Sequence, residues 1–168
     1  VVGAGANDFG VFIADAADDA ITVTELNDID LGGITAGTFT LNAGGNVTDS
    51  APLTVTGTAT VNSTGGAVTL DDGTSDYGTV SGSAGGGSFT VADANDIVLD
   101  TVDAIGDVIV DAVGNIDVAD GSVTSADNDV VLTSDTGNVT VLGTGQILAN
   151  NDGGGVGDAI LSAIAGTA

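Results

Sequence analysis

Leu53-Thr54-Val55-Thr56-Gly57-Thr58-Ala59-Thr60-Val61 alternates apolar and small polar residues, the period-two pattern of a strand with one buried face. Just before it, Phe39-Thr40-Leu41-Asn42-Ala43-Gly44-Gly45-Asn46-Val47-Thr48 runs the same alternation into a Gly-Gly-Asn break and out again. Apolar-Thr-apolar triplets recur along the chain, as in Ile21-Thr22-Val23, Val68-Thr69-Leu70, Phe89-Thr90-Val91 and Val139-Thr140-Val141. β-Branched residues suit a pleated, half-buried surface. Between the triplets stand Asn27-Asp28, Gly65-Gly66, Asp72-Gly73, Asn95-Asp96, Gly114-Asn115, Asn128-Asp129 and Gly137-Asn138. Such residues are expected to supply positive-φ positions at sharp corners.

The triplets belong to a longer repeat. Asn7-Asp8-Phe9-Gly10 returns as Ser75-Asp76-Tyr77-Gly78, and Ile21-Thr22-Val23 with Asn27-Asp28-Ile29 returns as Phe89-Thr90-Val91 with Asn95-Asp96-Ile97, both at an offset of 68 residues. With one residue inserted, Gly45-Asn46-Val47 matches Gly114-Asn115-Ile116, and with two more Gly66-Ala67-Val68 matches Gly137-Asn138-Val139. The copies span about 7–74 and 75–145, with 146–168 as a C-terminal remainder. Strands too short for a sandwich, repeating almost without gaps, point to an all-β solenoid, a single elongated domain over residues 1–168. At roughly 20–25 residues per coil, one copy makes about three coils and the chain about seven, a rod of roughly 35 Å at 4.7–4.9 Å per coil.

Composition narrows the function. The 168 residues include no Lys, Arg, His, Cys, Met or Trp, and of 24 acidic residues all but Glu25 are Asp, giving a net charge of -24. Nucleic acid, held through clustered Lys and Arg, is excluded as a partner, and so is a polybasic contact with anionic lipid. Disulfides and Lys–Asn isopeptide bonds are impossible. The apolar fraction of 42% argues against disorder. With only 3% aromatic residues the core must be built of thin aliphatic layers. No apolar run reaches the roughly 18 residues of a membrane span. The Val1 start, without initiator Met, is expected of a processed product or of a piece of something longer.

The quoted segments, over most of residues 7–148, resemble the repeats of large bacterial exoproteins of the filamentous-haemagglutinin type. The resemblance implies a right-handed parallel β-helix, export to the cell surface, and a part in adhesion, aggregation or biofilm.

Metal is the first site expectation. Stacked coils bring aspartates of successive turns within about 5 Å of one another, and calcium takes carboxylate oxygens. The densest runs are Asp15, Asp18 and Asp19, then Asp71, Asp72 and Asp76. Solvated corners are the simpler reading of both. No cofactor is required, and calcium is the one ion the composition suits. Gly153-Gly154-Gly155-Val156-Gly157-Asp158 only partly fits the calcium repeats of secreted toxins, since its Asp comes one residue early. Asp71, Asp72 and Asp76 also have the look of a glycosidase acid pair on a pectin-degrading β-helix. With no basic residue to bind an acidic sugar, catalysis is not expected. Asn46, Asn62 and Asn138 open Asn-x-Ser/Thr sequons.

The ends of a solenoid expose unpaired edges. Val1-Val2-Gly3-Ala4-Gly5 offers no cap, and Ala159-Ile160-Leu161-Ser162-Ala163-Ile164-Ala165 reads either as a capping helix or as a strand offered to a neighbour. The expected function is a secreted subunit or segment building an extracellular fibre or surface stalk by end-to-end stacking. An internal segment of a large monomeric adhesin is the alternative, and a polysaccharide-active enzyme a remote one. The expected partners are copies of the chain itself and cell-surface glycans.

Overall fold

The computed structural model describes residues 7–150 and 156–163, which hold seventeen strands and no helix. In chain order these are β1 (Val11–Asp15), β2 (Ala20–Glu25), β3 (Ile29–Ala36), β4 (Thr38–Ala43), β5 (Val47–Asp49), β6 (Leu53–Ser63), β7 (Val68–Leu70), β8 (Asp76–Ala84) and β9 (Phe89–Asp93). They continue as β10 (Ile97–Ala104), β11 (Val108–Ala112), β12 (Ile116–Val118), β13 (Ser122–Ser125), β14 (Val130–Ser134), β15 (Val139–Val141), β16 (Gln146–Leu148) and β17 (Ala159–Ala163). Every pairing is parallel and joins strands one coil apart, as β2 with β4, β7 with β9 and β11 with β14. This is a β-solenoid of about seven turns.

The coil has three sides. On the first, Val23, Leu41, Val61, Gly82, Val102, Val123 and Ile147 stack in one inward column. On the second, Ile29, Val47, Val68, Phe89, Val108, Val130 and Ala159 do the same. The third begins with Ala36, Val55 and Tyr77 and continues with Ile97, Ile116 and Val139. Between the end coils the inward aliphatics are almost wholly buried, from Leu31 and Leu41 to Val118 and Leu132. A solenoid makes its core from such ladders, because each coil buries its face only against the next. Outward on the first side, Thr22, Thr40, Thr60 and Ser81 form one column, and Thr24, Asn42, Asn62 and Ser83 another.

The 68-residue repeat is not a whole number of coils. Ile21 lies on the first side, above Phe39, Ala59 and Val80, whereas its repeat partner Phe89 lies on the second, below Val68. Phe39 and Val108 are displaced the same way, and Ile34 on the third side corresponds to Val102 on the first. Each copy therefore makes three coils plus one further side, and the second copy is turned by a third of a revolution. The expectation of about three coils is corrected by that one side.

The corners are also corrected. Among the described residues, positive φ occurs at Gly33, Gly82, Gly143, Ala17 and Asn150, not at the Gly-Asn pairs. Those glycines serve another need. A Cβ on Gly45 would lie 2.1 Å from the Asp28 carboxylate oxygen, and one on Gly114 at the same distance from that of Asp96. The side-chain oxygen of the coil before occupies the place of the missing Cβ, so glycine is required for space.

Residues 159–163 form a strand paired with β14 and not a capping helix. Val1–Gly5, Gly153–Gly155, Ile164 and Ala165 lie outside the described residues.

Candidate functional site

One corner of the coil carries a chain of polar contacts from coil to coil, broken once. Except at Ala67, the residue preceding a strand of the second side from β3 to β14 presents a side-chain oxygen to the backbone N–H of its counterpart one coil later. Asn46 N–H donates to Asp28 Oδ1 at 2.6 Å and Ala67 N–H to Asn46 Oδ1 at 3.0 Å. Asp107 N–H donates to Ser88 Oγ at 3.1 Å, Asp129 N–H to Asp107 Oδ1 at 3.1 Å, and Asp158 N–H to Asp129 Oδ1 at 2.7 Å. The linked residues stand 18, 21, 19, 22 and 29 positions apart, which measures the coil. A second corner repeats the device from Asp96 to Asn115 and from Asn115 to Asn138. These are the repeat partners of Asp28, Asn46 and Ala67, turned by one side. Each contact satisfies a corner amide that the ladder cannot reach.

A second device sits inside. In the longer strands of the first and second sides the last inward position often holds either alanine or a polar group that folds the next corner. Ser63 Oγ donates to Gly45 O and accepts from Gly66 N–H. Ser125 does the same with Gly106 and Asn128, and Ser134 with Gly114 and Gly137. In Glu25 and Asp93 the group is a carboxylate, only 3% and 2% exposed. Glu25 accepts from the N–H groups of Phe9, Leu26 and Asn27, and Asp93 from those of Tyr77 and Asn95. The donors Phe9 and Tyr77 each lie 16 residues upstream of their acceptor, so the copies share this contact too. With no basic residue in the chain, backbone amides alone hold these charges. Burial raises the Asp93 carboxyl above the usual range, the Asn95 and Tyr77 amides oppose it, and the charges of Asp76 and Asp96 add to it.

The six predicted aspartates fall in two separate places. Asp15 ends β1 opposite Thr35 and accepts from Ala17 N–H, with Asp18 and Asp19 in the turn that follows. Asp71 and Asp72 form a corner organised from the previous coil, where the Asp49 carboxylate takes their N–H groups at 3.0 and 3.3 Å. Asp72 accepts from the N–H and hydroxyl of Thr74, which lower its carboxyl pKa. Asp76 opens β8 opposite Thr54. Among the described residues no group of three or more acidic side chains is placed to hold a metal ion. Asp49 itself is shifted upward, first by burial and then by the Asp71 and Asp72 charges, against the two N–H bonds.

Glu25, Asp49, Asp93 and the three serines escaped the reading by composition. Their signal is parity: Ile21-Val23-Glu25, Phe89-Val91-Asp93 and Val130-Leu132-Ser134 each place a polar residue on the inward phase of an aliphatic strand. Of the sequon asparagines, Asn46 and Asn138 belong to the corner chains, and Asn62 donates through Nδ2 to Asn42 Oδ1.

The two end coils differ from the middle. Among the described residues, strands β1 and β2 each pair on one edge only, as do β15, β16 and β17. Val11, Ile13, Val141, Leu142, Ile160 and Leu161 are exposed there, and no later coil among the described residues offers an N–H to Asp158. No helix of the described residues is long and apolar enough to cross a membrane.

Residues 18–83 match a family model described as repeats of unknown function (DUF5649). No curated protein and no solved structure matches the chain. The matched residues cover four consecutive stacked strands of the first side, and together with the rotated second copy they make this chain a repeat β-helix protein, similar in that stretch to those repeats.

Proposed function

We propose that the chain is a structural segment of an extracellular fibre or cell-surface stalk, serving adhesion or biofilm matrix, and that its end coils stack on coils of a neighbour. The observation that carries this reading is the parallel edge that no other described strand covers at each end. There the register of β1 with β3 and of β17 with β14 continues the columns of the interior, so a further coil would extend those ladders and take the next bond from Asp158. Parallel strand addition supplies affinity through main-chain hydrogen bonds. Repeat architecture and the resemblance to exported exoproteins support the surface location.

Electron microscopy and size-exclusion chromatography of the purified chain test the stacking. Rods much longer than roughly 35 Å, or a ladder of oligomers, are expected. Discrete monomers at high concentration and high salt would overturn stacking between separate chains.

A further inference from the structure

We propose that the first side of the coil, over β2, β4 and the C-terminal halves of β6 and β8, docks a neutral polysaccharide lying along the rod. The inference deepens the adhesive reading but does not require chains to stack end to end.

The outward residues of this side are threonine, serine and asparagine, apart from Ala20 at one edge, in a molecule of net charge -24. Carboxylates stand on the outward positions of the other sides, such as Asp111 on the second and Asp76 on the third. Nor does the fold demand a neutral surface. The repeat copy of this side holds Ile109 and Asp111 where the first holds Thr40 and Asn42, and Val131 where it holds Thr60. One coil beyond Ser83 the column passes to Asp103, and the neutral area ends.

Three physical features select the occupant. An uncharged array of hydroxyls, amides and methyls offers no counter-charge to an ionic ligand, and hydrogen bonds to a hydroxyl-rich neutral one. The array is held in place, since Asn62 Nδ2 donates to Asn42 Oδ1 at 3.1 Å, Ser83 Oγ to Asn62 Oδ1 at 3.2 Å, and Thr60 and Ser81 hydroxyls lie 3.2 Å apart. Groups already ordered lose little entropy on binding. The rims are low at Gly37 and Gly57 on one edge and at Gly44 and Gly85 on the other, each tight against the backbone of the coil before, with Asp19 completing the first rim and Leu26 and Thr64 the second.

Size excludes a second copy of the chain as occupant. Five residues of strand by four coils make roughly 15 Å by 15 Å, a few hundred Å² at most. A stable protein interface takes about 800 Å² per partner. A polysaccharide needs no such area at one place. An extended chain lying along the rod instead meets one row of hydroxyls after another, about 4.8 Å per coil.

The test is co-sedimentation of the whole chain with insoluble cellulose, β-1,3-glucan and, as an anionic control, cross-linked polygalacturonate. Wild type should pellet with at least one neutral polysaccharide, with little change between low and high salt, and stay in solution with the anionic one. Thr22→Val/Thr60→Val keeps the β-branched shape and should weaken binding about tenfold, with an unchanged melting curve. Thr22→Asp/Thr60→Asp should abolish it, while Ile109→Asp/Val131→Asp, the same two added charges on the second side, should leave it intact. Failure of wild type to bind any neutral polysaccharide overturns the proposal, as does equal binding by the valine variant. Inhibition of ice recrystallisation without polysaccharide binding would also overturn it, assigning the array to ordered water. Rod length by electron microscopy is read separately, so end stacking can stand or fall on its own.

Discussion

At the scale of single residues, Gly82 shows how one column accommodates an exception. It occupies an inward position of the first side, between Val61 and Val102, with φ of +153°. A Cβ there would lie 1.9 Å from Val61 O and 3.1 Å from the Phe89 ring. The ring of Phe89, fully buried, thus occupies the space that an aliphatic side chain fills in the other coils. Gly82→Ala would combine a strained backbone with a clash against main chain that cannot swing away. It should cost about 2–4 kcal/mol, read as a lower urea midpoint at unchanged slope. A midpoint within error of wild type would show that the Phe89 ring yields and the column has slack. The buried Tyr77 hydroxyl is the opposite exception: burial pushes its pKa upward, Ser75 offsets this only in part, and it makes no well-formed hydrogen bond.

At the scale of strands and corners, the polar chain beside the second side has one gap. Asp28, Asn46, Ser88, Asp107 and Asp129 each accept an N–H from the next coil, but Ala67 has no side chain to offer Ser88. Its repeat partner is Asn138, and Gly87 stands before Ser88 as Gly45 stands before Asn46. Ala67→Asn should therefore complete the chain and add about 0.5–1.5 kcal/mol, the usual net worth of a hydrogen bond. A thermal midpoint raised by a few degrees checks it, and a fall would mean that Gly87 does not leave the room that Gly45 does. Strands and corners were legible because alternation and Gly-Asn punctuation are local. Ala67 and Asn138 show what was not. Self-similarity equates them in sequence, yet says nothing of how many residues a side consumes, so the rotation between copies stayed hidden. For the same reason Asp49 was overlooked beside Asp71 and Asp72, since its bond to them crosses a whole coil. The buried Glu25 and Asp93 were visible in principle, because parity alone marks them, but charge was read as surface.

For the molecule as a whole, 24 negative charges without one positive side chain set the terms of stability. Asp49, Asp93 and Asp111 have carboxyl pKa values raised in the folded chain above 3.8, burial being the first cause in each and neighbouring aspartates adding to it. A raised folded value means that the folded chain binds protons at a pH where the unfolded chain has released them. Their contribution is then fully present below 3.8 and is lost as pH rises through the higher folded values. Asp72, whose pKa is lowered through Thr74, works the other way, but it is exposed and its effect is screened. Mutual repulsion of the remaining carboxylates along the rod has the same sign as the three raised groups, and it weakens with salt. The melting midpoint should therefore climb as pH falls from neutrality through the raised carboxyl values toward 3.8, by several degrees in dilute buffer, and the slope should flatten in about 0.5 M sodium chloride, where the Debye length drops to a few ångström. Calcium at matched ionic strength separates screening from binding: a rise equal to that in sodium chloride is screening alone, and a larger, saturable one requires a specific site. A midpoint indifferent to both pH and salt would mean that the backbone amides at Asp93 and Asp49 outweigh burial, and that the charges lie too far apart to matter.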